Sequence, residues 1–244
     1  MFNQRVMRTR MLLGDEGIKN LAAATVMVVG LGAVGGYALE ALARSGVGHL
    51  ILVDFDKFDE TNINRQILAL GSTIGRRKTE VAAERVHDIN PDCQVDICDM
   101  FVNEETLPQL AALKPDFVVD AIDSLNSKCN LMETLWREHI PFISSMGAAL
   151  KRDPAAIRLA KLSQTENCAL ARMIRQRLRR RGVNLADISC VYSRECAVLP
   201  PTALAEQEGQ RRHIMGSMPT ITAIFGLTIA NQVILQLADA DFKA

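Results

Sequence analysis

The sequence predicts an α/β fold: a Rossmann-like, doubly wound and mainly parallel sheet with a C-terminal α+β extension. Short apolar strands alternate with helices through the first 150 residues, which is the pattern of right-handed crossovers in a parallel sheet. A glycine-rich turn joins the first strand to the first helix. Beyond Lys151 the alternation changes. We therefore expect a Rossmann-like domain over residues 1–150 and an extension over 151–244 that packs on the same sheet.

Each element follows from an apolar run and the residues that stop it. The predicted strands are 25–30, 49–54, 94–98, 117–120 and 141–145 in the first domain, and 157–162 and 189–192 in the extension. The predicted helices are 34–44, 77–90, 104–113, 124–139 and the basic helix 169–181. Residues 200–217 show no clear pattern and contain Pro200, Pro201, Gly209 and Gly216, so we expect a mobile loop there.

The apolar segment 218–238 is long enough for a membrane span. Asn231, Gln232 and Gln236 interrupt it, and Pro219 stands where a first helical residue would stand. The segment is therefore predicted to be a buried C-terminal helix, with a membrane-contacting helix as the alternative.

Composition narrows the protein class. Lys and Arg number 28 against 28 Asp and Glu, so net charge does not indicate a nucleic-acid partner. The six cysteines form no Cys-x-x-Cys pair, so no structural zinc is expected, and their scatter is typical of a reduced, cytoplasmic protein. No signal peptide is recognisable at the start of the chain, which agrees with that location.

A G-x-G-x-x-G motif, Gly30 to Gly35, follows the first strand and opens the first helix. Gly30 permits the tight turn, Gly32 lets a phosphate approach the backbone, and Gly35 lets the helix pack on the strand. The helix N-terminus favours an anion. Asp54 ends the second strand, nineteen positions after Gly35, where an acidic residue suits ribose hydroxyls. The motif predicts a nucleotide site without separating NAD from ATP.

The following polar residues favour ATP. Arg65 and Lys78 are the side chains that hold phosphate oxygens, and hydride transfer gives no reason to place them here. Asp123 follows the fourth strand, at the carboxyl-end rim where such sheets bind ligands. A carboxylate there is predicted to hold magnesium against the phosphates.

Together these residues resemble the adenylation fold of the ubiquitin-activating enzymes and of their bacterial relatives that activate sulfur carriers for molybdopterin and thiamin synthesis. The resemblance spans about residues 5 to 147. It is carried by the glycine motif, the polar segments after two strands and one lysine: Gly30, Gly32, Gly35, Asp54, Asp56, Asn62, Asn64, Arg65, Gln66, Lys78 and the segment Asp120 to Asp123.

The resemblance implies an ATP-binding adenylation domain over residues 1–150 and a role for each residue. Asp54 is expected to bind ribose, Arg65 and Lys78 the phosphates, and Asp123 magnesium. Arg8 stands where the family places an arginine that reaches the partner subunit's ATP, so the resemblance implies a homodimer with a shared site. The catalytic set is then Arg8, Arg65, Lys78 and Asp123.

Within the family, the extension is most similar to the branch that dehydrates threonylcarbamoyladenosine in tRNA to its cyclic form. The similarity lies in Cys190-Val-Tyr-Ser193-x-Glu195 and in the helix around Arg172 to Arg181, which has six arginines in ten residues. Such a positive patch suits a phosphate backbone, so Arg172, Arg175, Arg179 and Arg180 are candidates for tRNA binding. A solvated charged face is the alternative.

The resemblance implies that a threonylcarbamoyl carboxylate is adenylated and that the substrate's own carbamoyl group then displaces AMP. No enzyme nucleophile is needed, and only Cys190 or Cys196 would be candidates for one. Two other functions stay open: adenylation of the C-terminus of a ubiquitin-like sulfur-carrier protein, within a sulfur-carrier or cysteine-desulfurase system, and an NAD-binding oxidoreductase or non-catalytic nucleotide sensor. Hydride transfer would need an acid-base histidine, and His49, His87, His139 and His213 lie in no motif.

Overall fold

The structure, a computed structural model, describes residues 4–197, 204–207, 210–213 and 215–239. Seven strands form one sheet in the order β3-β2-β1-β4-β5-β7-β6, and two more form a separate antiparallel pair. The strands are β1 (Thr25–Val29), β2 (His49–Val53), β3 (Gln94–Cys98), β4 (Phe117–Asp120), β5 (Phe142–Ser145), β6 (Ile157–Lys161), β7 (Ser189–Ser193), β8 (Leu204–Gln207) and β9 (Gln210–His213).

Seven α-helices accompany these strands in the described part of the chain. They are α1 (Met7–Ala23), α2 (Gly35–Ser45), α3 (Lys78–Ile89), α4 (Leu107–Ala112), α5 (Leu125–Arg137), α6 (Ala169–Arg180) and α7 (Pro219–Ala238). All neighbouring strands of the large sheet are parallel except β6, which runs antiparallel to β7. The predicted doubly wound, mainly parallel α/β fold is therefore confirmed.

Alternate residues of each buried strand face opposite layers of helices. On β1, Val26 and Val28 belong to the core beneath α1, α2, α3 and α7, whereas Met27 and Val29 face α4 and α5. A third cluster joins α5 and α6 to Cys190 of β7. The sheet is thus covered on both faces, as a mainly parallel sheet requires.

The sheet does not stop where the first domain was predicted to end. β7 pairs in parallel with β5, so that Ile143 lies opposite Ser189, and β6 closes the edge. Strand order reverses between β1 and β4, which is the switch point where ligands bind in open α/β sheets. The carboxyl ends of these two strands therefore define the place to look for a site.

Helix α7 packs on α2 and α1. A side chain on Gly226 would lie 2.4 Å from the carbonyl oxygen of Val34, so glycine allows the two helices to come this close. By length and composition α7 is the one described helix that could cross a membrane, and half of its most apolar stretch is buried within the protein. These contacts agree with the buried-helix prediction.

Three regions differ from the sequence-based prediction. Helix α1 was not predicted, and Gly14 within it has non-helical backbone angles (φ 75°). The segment 200–217 was expected to be a mobile loop. β8 and β9 pair within it, with Leu204 opposite His213, while residues 200–203, 208–209 and 214 lie outside the described residues and the mobility stays a prediction. Helix α4 is also shorter than predicted, starting at Leu107 rather than Glu104.

Candidate nucleotide and substrate site

The glycine turn after β1 leaves room for another group to come close to its backbone. The Gly30 amide donates to the carbonyl of Val53 (2.8 Å), and Gly30 has a φ of 91°. A side chain on Gly35 would lie 1.7 Å from the Gly30 oxygen, so the helix can start there only with glycine. Above Gly32 the only described atom within 4 Å of an added Cβ is the amide nitrogen of Gln66, at 3.8 Å. The turn therefore presents an open backbone face.

Asp54 fixes this turn to the end of β2. Its carboxylate is buried and accepts hydrogen bonds from the backbone amides of Leu31 (2.7 Å) and Asp56 (2.9 Å). Each carboxylate oxygen has capacity for a second donor. The ribose-binding role implied for Asp54 remains a prediction, and its position beside the turn is compatible with that role.

Lys78 places a buried positive charge at the start of α3. Its ammonium donates to the Asp56 carboxylate (3.0 Å), and its backbone amide donates to the Asp56 carbonyl (3.0 Å). The lysine side chain is 7% exposed and the Asp56 side chain 47%. Asp56 thus holds the lysine from the solvent side, and an ammonium has two further N–H groups for an anion.

Polar side chains of the segment 60–66 bond either to nearby residues of the same stretch of chain or to Ser217. The Asn62 side chain accepts from the Asp59 amide (3.3 Å) in a capping box, and Asn64 donates to the Ser217 carbonyl (3.2 Å). Arg65 donates to the Thr61 carbonyl (2.8 Å) and to the Asn64 side chain (2.9 Å). These partners are local, so in this conformation the Arg65 guanidinium is held by its own segment.

Gln66 differs from its neighbours. Its side chain is buried, and its carbonyl oxygen has no hydrogen-bond partner among the described residues. An unpaired buried acceptor is unfavourable, and this one belongs to the residue nearest the open face of Gly32. This side chain and the open glycine face are the features that best fit a bound nucleotide.

A turn after β4 closes the other side of the switch point. The Ala121 carbonyl lies 2.9 Å from the Cβ position of Gly30, and the Ala121 amide donates to Val29 (2.8 Å). Asp123 ends this turn, exposed, with no hydrogen bond or ion pair to any described residue. No group of three or more His, Cys, Asp or Glu suited to a metal occurs among the described residues. Asp123 thus stands as a single carboxylate at the rim.

Arg8 lies on the exposed side of α1, and within the described chain no hydrogen bond or ion pair joins it to these residues. Three large apolar side chains near it on α1 are also exposed: Met7, Met11 and Leu12. Met11 and Leu12 are more than four-fifths exposed. One chain therefore leaves both the arginine and an apolar surface around it uncovered.

The arginines of α6 fall into two sets. Arg175 donates to the Thr165 carbonyl (2.8 Å), Arg177 to Asn126, and Arg181 to Glu133 (2.7 Å). We call these three the inward arginines. Arg172, Arg179 and Arg180 are exposed and have no partner in the described chain, and we call them the outward arginines. The candidate Arg175 thus uses its guanidinium within the chain, a contact that the sequence could not reveal.

The direction of α6 follows from its contacts with α5. Arg177 bonds Asn126 and Arg181 bonds Asn130, and both pairs are separated by 51 residues. The constant offset indicates that the two helices run in the same direction. An open surface depression of about 440 Å³ is lined by Arg172, Met173, Arg175, Gln176 and Arg179.

Cys190 and His49 lack the features of reactive groups. Cys190 is fully buried, and burial raises the pKa of its thiol to about 12, so it is a poor nucleophile. Cys196 is exposed. His49 begins β2, at the opposite end of the strand from Asp54, and bonds Asp96 (2.8 Å) and Thr25 (3.2 Å). His49 therefore lies away from the nucleotide site.

Comparison with known proteins gives three findings. A family model described as "ThiF family" matches residues 4–242. The chain is 37% identical to a tRNA threonylcarbamoyladenosine dehydratase of Bacillus subtilis, over 94% of this chain and 93% of that one. The crystal structure of Escherichia coli tRNA N6-threonylcarbamoyladenosine dehydratase in complex with ATP superposes with a TM-score of 0.88 at 35% identity, covering 96% of this chain and 93% of that chain.

A relative from another branch matches less of the chain. The molybdopterin-synthase adenylyltransferase of Salmonella typhimurium is 33% identical over 57% of this chain and 54% of its own length. The likeness to the dehydratases thus includes the extension with α6, whereas the likeness to the adenylyltransferase covers little more than half of the chain.

Proposed function

The chain belongs to the ThiF family, and on that premise we propose that it uses ATP to adenylate the carboxylate of threonylcarbamoyladenosine in tRNA and closes that group into a ring, with the loss of water. The observation that carries the proposal is a bonded cluster at the end of β2. Asp54 accepts from the Leu31 amide of the glycine turn and from the Asp56 amide, and Asp56 in turn pairs with buried Lys78. Near-full-length similarity to two dehydratases supports this substrate over others.

The residues present suit ATP. Gly32 leaves its face open for phosphate, the α2 N-terminus favours an anion, and Lys78 supplies a fixed cation. Arg65 can join them by exchanging its local carbonyl partner for phosphate oxygens, to which a guanidinium bonds more strongly. The unpaired oxygen of Gln66 can accept from the nucleotide. We assign Asp54, which bonds the glycine turn, to the ribose hydroxyls, and Asp56 to holding Lys78.

The reaction runs in two displacements. A carboxylate oxygen of the substrate attacks the α-phosphorus of ATP, and the bond to the bridging oxygen breaks, so that pyrophosphate leaves. A nucleophilic atom of the substrate's own carbamoyl group then attacks the activated carbonyl carbon. The bond from that carbon to the AMP oxygen breaks, AMP leaves, and an N–H proton of the carbamoyl group is released to solvent. Lys78 and Arg65 stabilise the charge that develops on the phosphate oxygens. The attack is intramolecular, so the buried thiol of Cys190 is not required.

Magnesium fits the rim at Asp123. This carboxylate is exposed and has no partner in the described chain, so it is available as an oxygen ligand. Mg²⁺ is commonly bound by one or two carboxylates together with substrate phosphates, so a larger group of ligands is not needed. When bound, the ion neutralises phosphate charge.

A homodimer accounts for the uncovered surface of α1. Met7, Met11 and Leu12 expose an apolar patch, and such patches are typical of protein interfaces. Arg8 lies within this patch, so pairing of two chains through it would place Arg8 in the interface, where the family resemblance assigns it to the partner's nucleotide. Its role in the partner's site is thus part of the proposal.

The outward arginines of α6 are the proposed phosphate contacts for tRNA. Arg172 and Arg179 are two helical turns apart on one face and border the same depression. Helix α6 runs in the same direction as α5, which begins just after Asp123, so an RNA strand lying along this face would lead towards the rim in our proposal. Arg175 also borders this depression, but its Nη1 donates to Thr165, so we assign it to holding α6, and its role in tRNA binding stays a prediction.

The proposed location is the cytoplasm, where tRNA and ATP are available, with α7 packed as a core helix.

A sulfur-carrier or cysteine-desulfurase system is the alternative partner. The two are separated by measuring ATP–pyrophosphate exchange with tRNA or with a carrier protein ending in Gly-Gly. We expect exchange only with tRNA that carries the threonylcarbamoyl group. Exchange that depends on the carrier alone would replace the dehydratase proposal.

A further inference from the structure

An ion pair lies completely buried behind the turn that carries Asp123. The Lys128 ammonium is 2.8 Å from an Asp120 carboxylate oxygen, and both side chains are 0% exposed. The same carboxylate oxygen accepts from the Ser144 hydroxyl (2.6 Å), and the other accepts from the backbone amide of Ile122 (3.1 Å). A fully buried pair is costly to desolvate, and apolar residues would fill the space at least as stably. Stability alone therefore does not account for it.

The pair is directed at the turn itself. Lys128 donates to the carbonyl of Ile122 (2.8 Å), and Asp120 accepts from the amide of the same residue. The pair therefore bonds both polar backbone groups of Ile122. Ile122 lies between Ala121, which abuts the Gly30 turn, and Asp123. Two opposite charges thus fix the single peptide segment that connects the glycine turn to the rim carboxylate.

We propose that Asp120 and Lys128 are positioning residues that hold the Asp123 carboxylate in the geometry needed to bind magnesium with the nucleotide phosphates. This inference rests on the proposed function, because it assigns Asp123 to the metal. Partners that orient a metal ligand typically change metal affinity or activity by about 10- to 100-fold when they are removed.

The test replaces the pair without emptying its space. The double variant Asp120→Asn/Lys128→Met keeps similar side-chain volumes and removes both charges, and a melting temperature near or above the wild-type value is expected because the desolvation cost is relieved. The single variant Lys128→Met leaves Asp120 buried and unpaired, so it should be much less stable. Leu131→Ala, in the apolar core one turn further along α5, is the control for general loosening of that helix.

Calorimetry of a non-hydrolysable ATP analogue at increasing Mg²⁺ concentration supplies a readout that needs no tRNA. We expect the double variant to require about tenfold or more Mg²⁺ for half-maximal binding, with analogue binding in the absence of metal unchanged. Leu131→Ala should lower the melting temperature and leave the Mg²⁺ requirement as in wild type. A folded double variant with the wild-type Mg²⁺ requirement would overturn the inference. Failure of the proposed function would instead appear as wild-type protein that binds Mg²⁺ and the analogue but makes no AMP with modified tRNA.

Discussion

The charged residues of the nucleotide site and those of the proposed RNA-binding surface on α6 differ in burial and in bonding. In the nucleotide site, Asp54 and Lys78 are buried and bonded to neighbours that fix them to strand and helix ends. On α6, the outward arginines are exposed and unpartnered within the described chain. A reacting phosphate needs charges preorganised in a dry site, whereas a polyanion can be gathered by solvated charges. Substitutions in the nucleotide site should therefore affect the rate of the reaction. Substitutions of the outward arginines should affect the salt-dependent affinity for tRNA.

The largest effect is expected from Lys78→Met. It removes the buried cation beside the glycine turn, and loss of one preorganised donor typically lowers turnover by about 10²- to 10³-fold. AMP formation at saturating ATP is the measurement. Lys57 is exposed and directly follows Asp56 in the sequence. Lys57→Met is therefore the matched control, and its turnover should be close to that of wild type. Equal turnover in the two variants would contradict the claim that buried Lys78, and not an exposed lysine, stabilises the reacting phosphate.

A smaller effect is expected when inactive subunits are mixed. If Arg8 completes the partner's site, Arg8→Ala and Lys78→Met protein combined in equal amounts should recover up to about a quarter of wild-type activity, because half of the dimers are mixed and each has one intact site. Subunit exchange is verified by native mass spectrometry. Exchange without recovery would place Arg8 outside the partner's site and leave the apolar patch on α1 without this role.

The two sets of α6 arginines give the sharpest test of the proposed RNA-binding surface. Arg172, Arg179 and Arg180 changed together to Gln should reduce the slope of log affinity for tRNA against log salt by about two to three, one counterion per lost phosphate contact. Changing Arg175, Arg177 and Arg181 instead breaks contacts to Thr165, Asn126 and Glu133, so it should mainly lower the melting temperature. Similar salt slopes in the two triple variants would contradict the division. ATP binding should be unaffected by the outward set.

The smallest effect concerns Glu195, which supports the extension. Its carboxylate accepts hydrogen bonds from the backbone amides of Asp153 and Arg152, and these lower the pKa of Glu195 below its ordinary value. A lowered folded-state pKa stabilises the fold above the ordinary pKa, and the gain is lost as pH falls through the folded value. The melting-temperature difference between wild type and Glu195→Ala should thus shrink below about pH 4. A difference that stays constant from pH 7 to pH 3 would contradict this account.

Glu138→Ala is the control for that experiment. Glu138 is exposed, and its side chain accepts no hydrogen bond among the described residues. We expect its substitution to have little effect on the melting temperature at either pH. A pH-dependent change in this variant equal to that of Glu195→Ala would show that general surface charge, rather than the amide contacts, sets the effect.

The same contrast explains what could be predicted from sequence. The glycine turn, the strands and Asp54 were predictable because they depend on local chain geometry, such as the absence of space for a Cβ at Gly35. The division of the α6 arginines was not, because it depends on Asn126 and Thr165 elsewhere in the chain. Lys128 was missed for the same reason: a lysine in a helix gives no sign that its partner is a buried aspartate at a strand end.

Helix α1 and the β8–β9 pair show the limits of periodicity. The exposed apolar residues Met11 and Leu12 contradict the one-sided pattern of a surface helix, and in the proposed dimer they would be covered by the partner. The strands β8 and β9 are only four residues each and lie among glycines and prolines, so no period could develop.

The most direct test of the proposed function uses tRNA that carries threonylcarbamoyladenosine. The protein is incubated with this tRNA, ATP and Mg²⁺, and the digested nucleosides are analysed by mass spectrometry while AMP and pyrophosphate are quantified. We predict a nucleoside lighter by one water, with one AMP and one pyrophosphate formed for each, and none of these with Lys78→Met. An unchanged nucleoside in the presence of active, ATP-binding wild-type protein would contradict the dehydratase assignment.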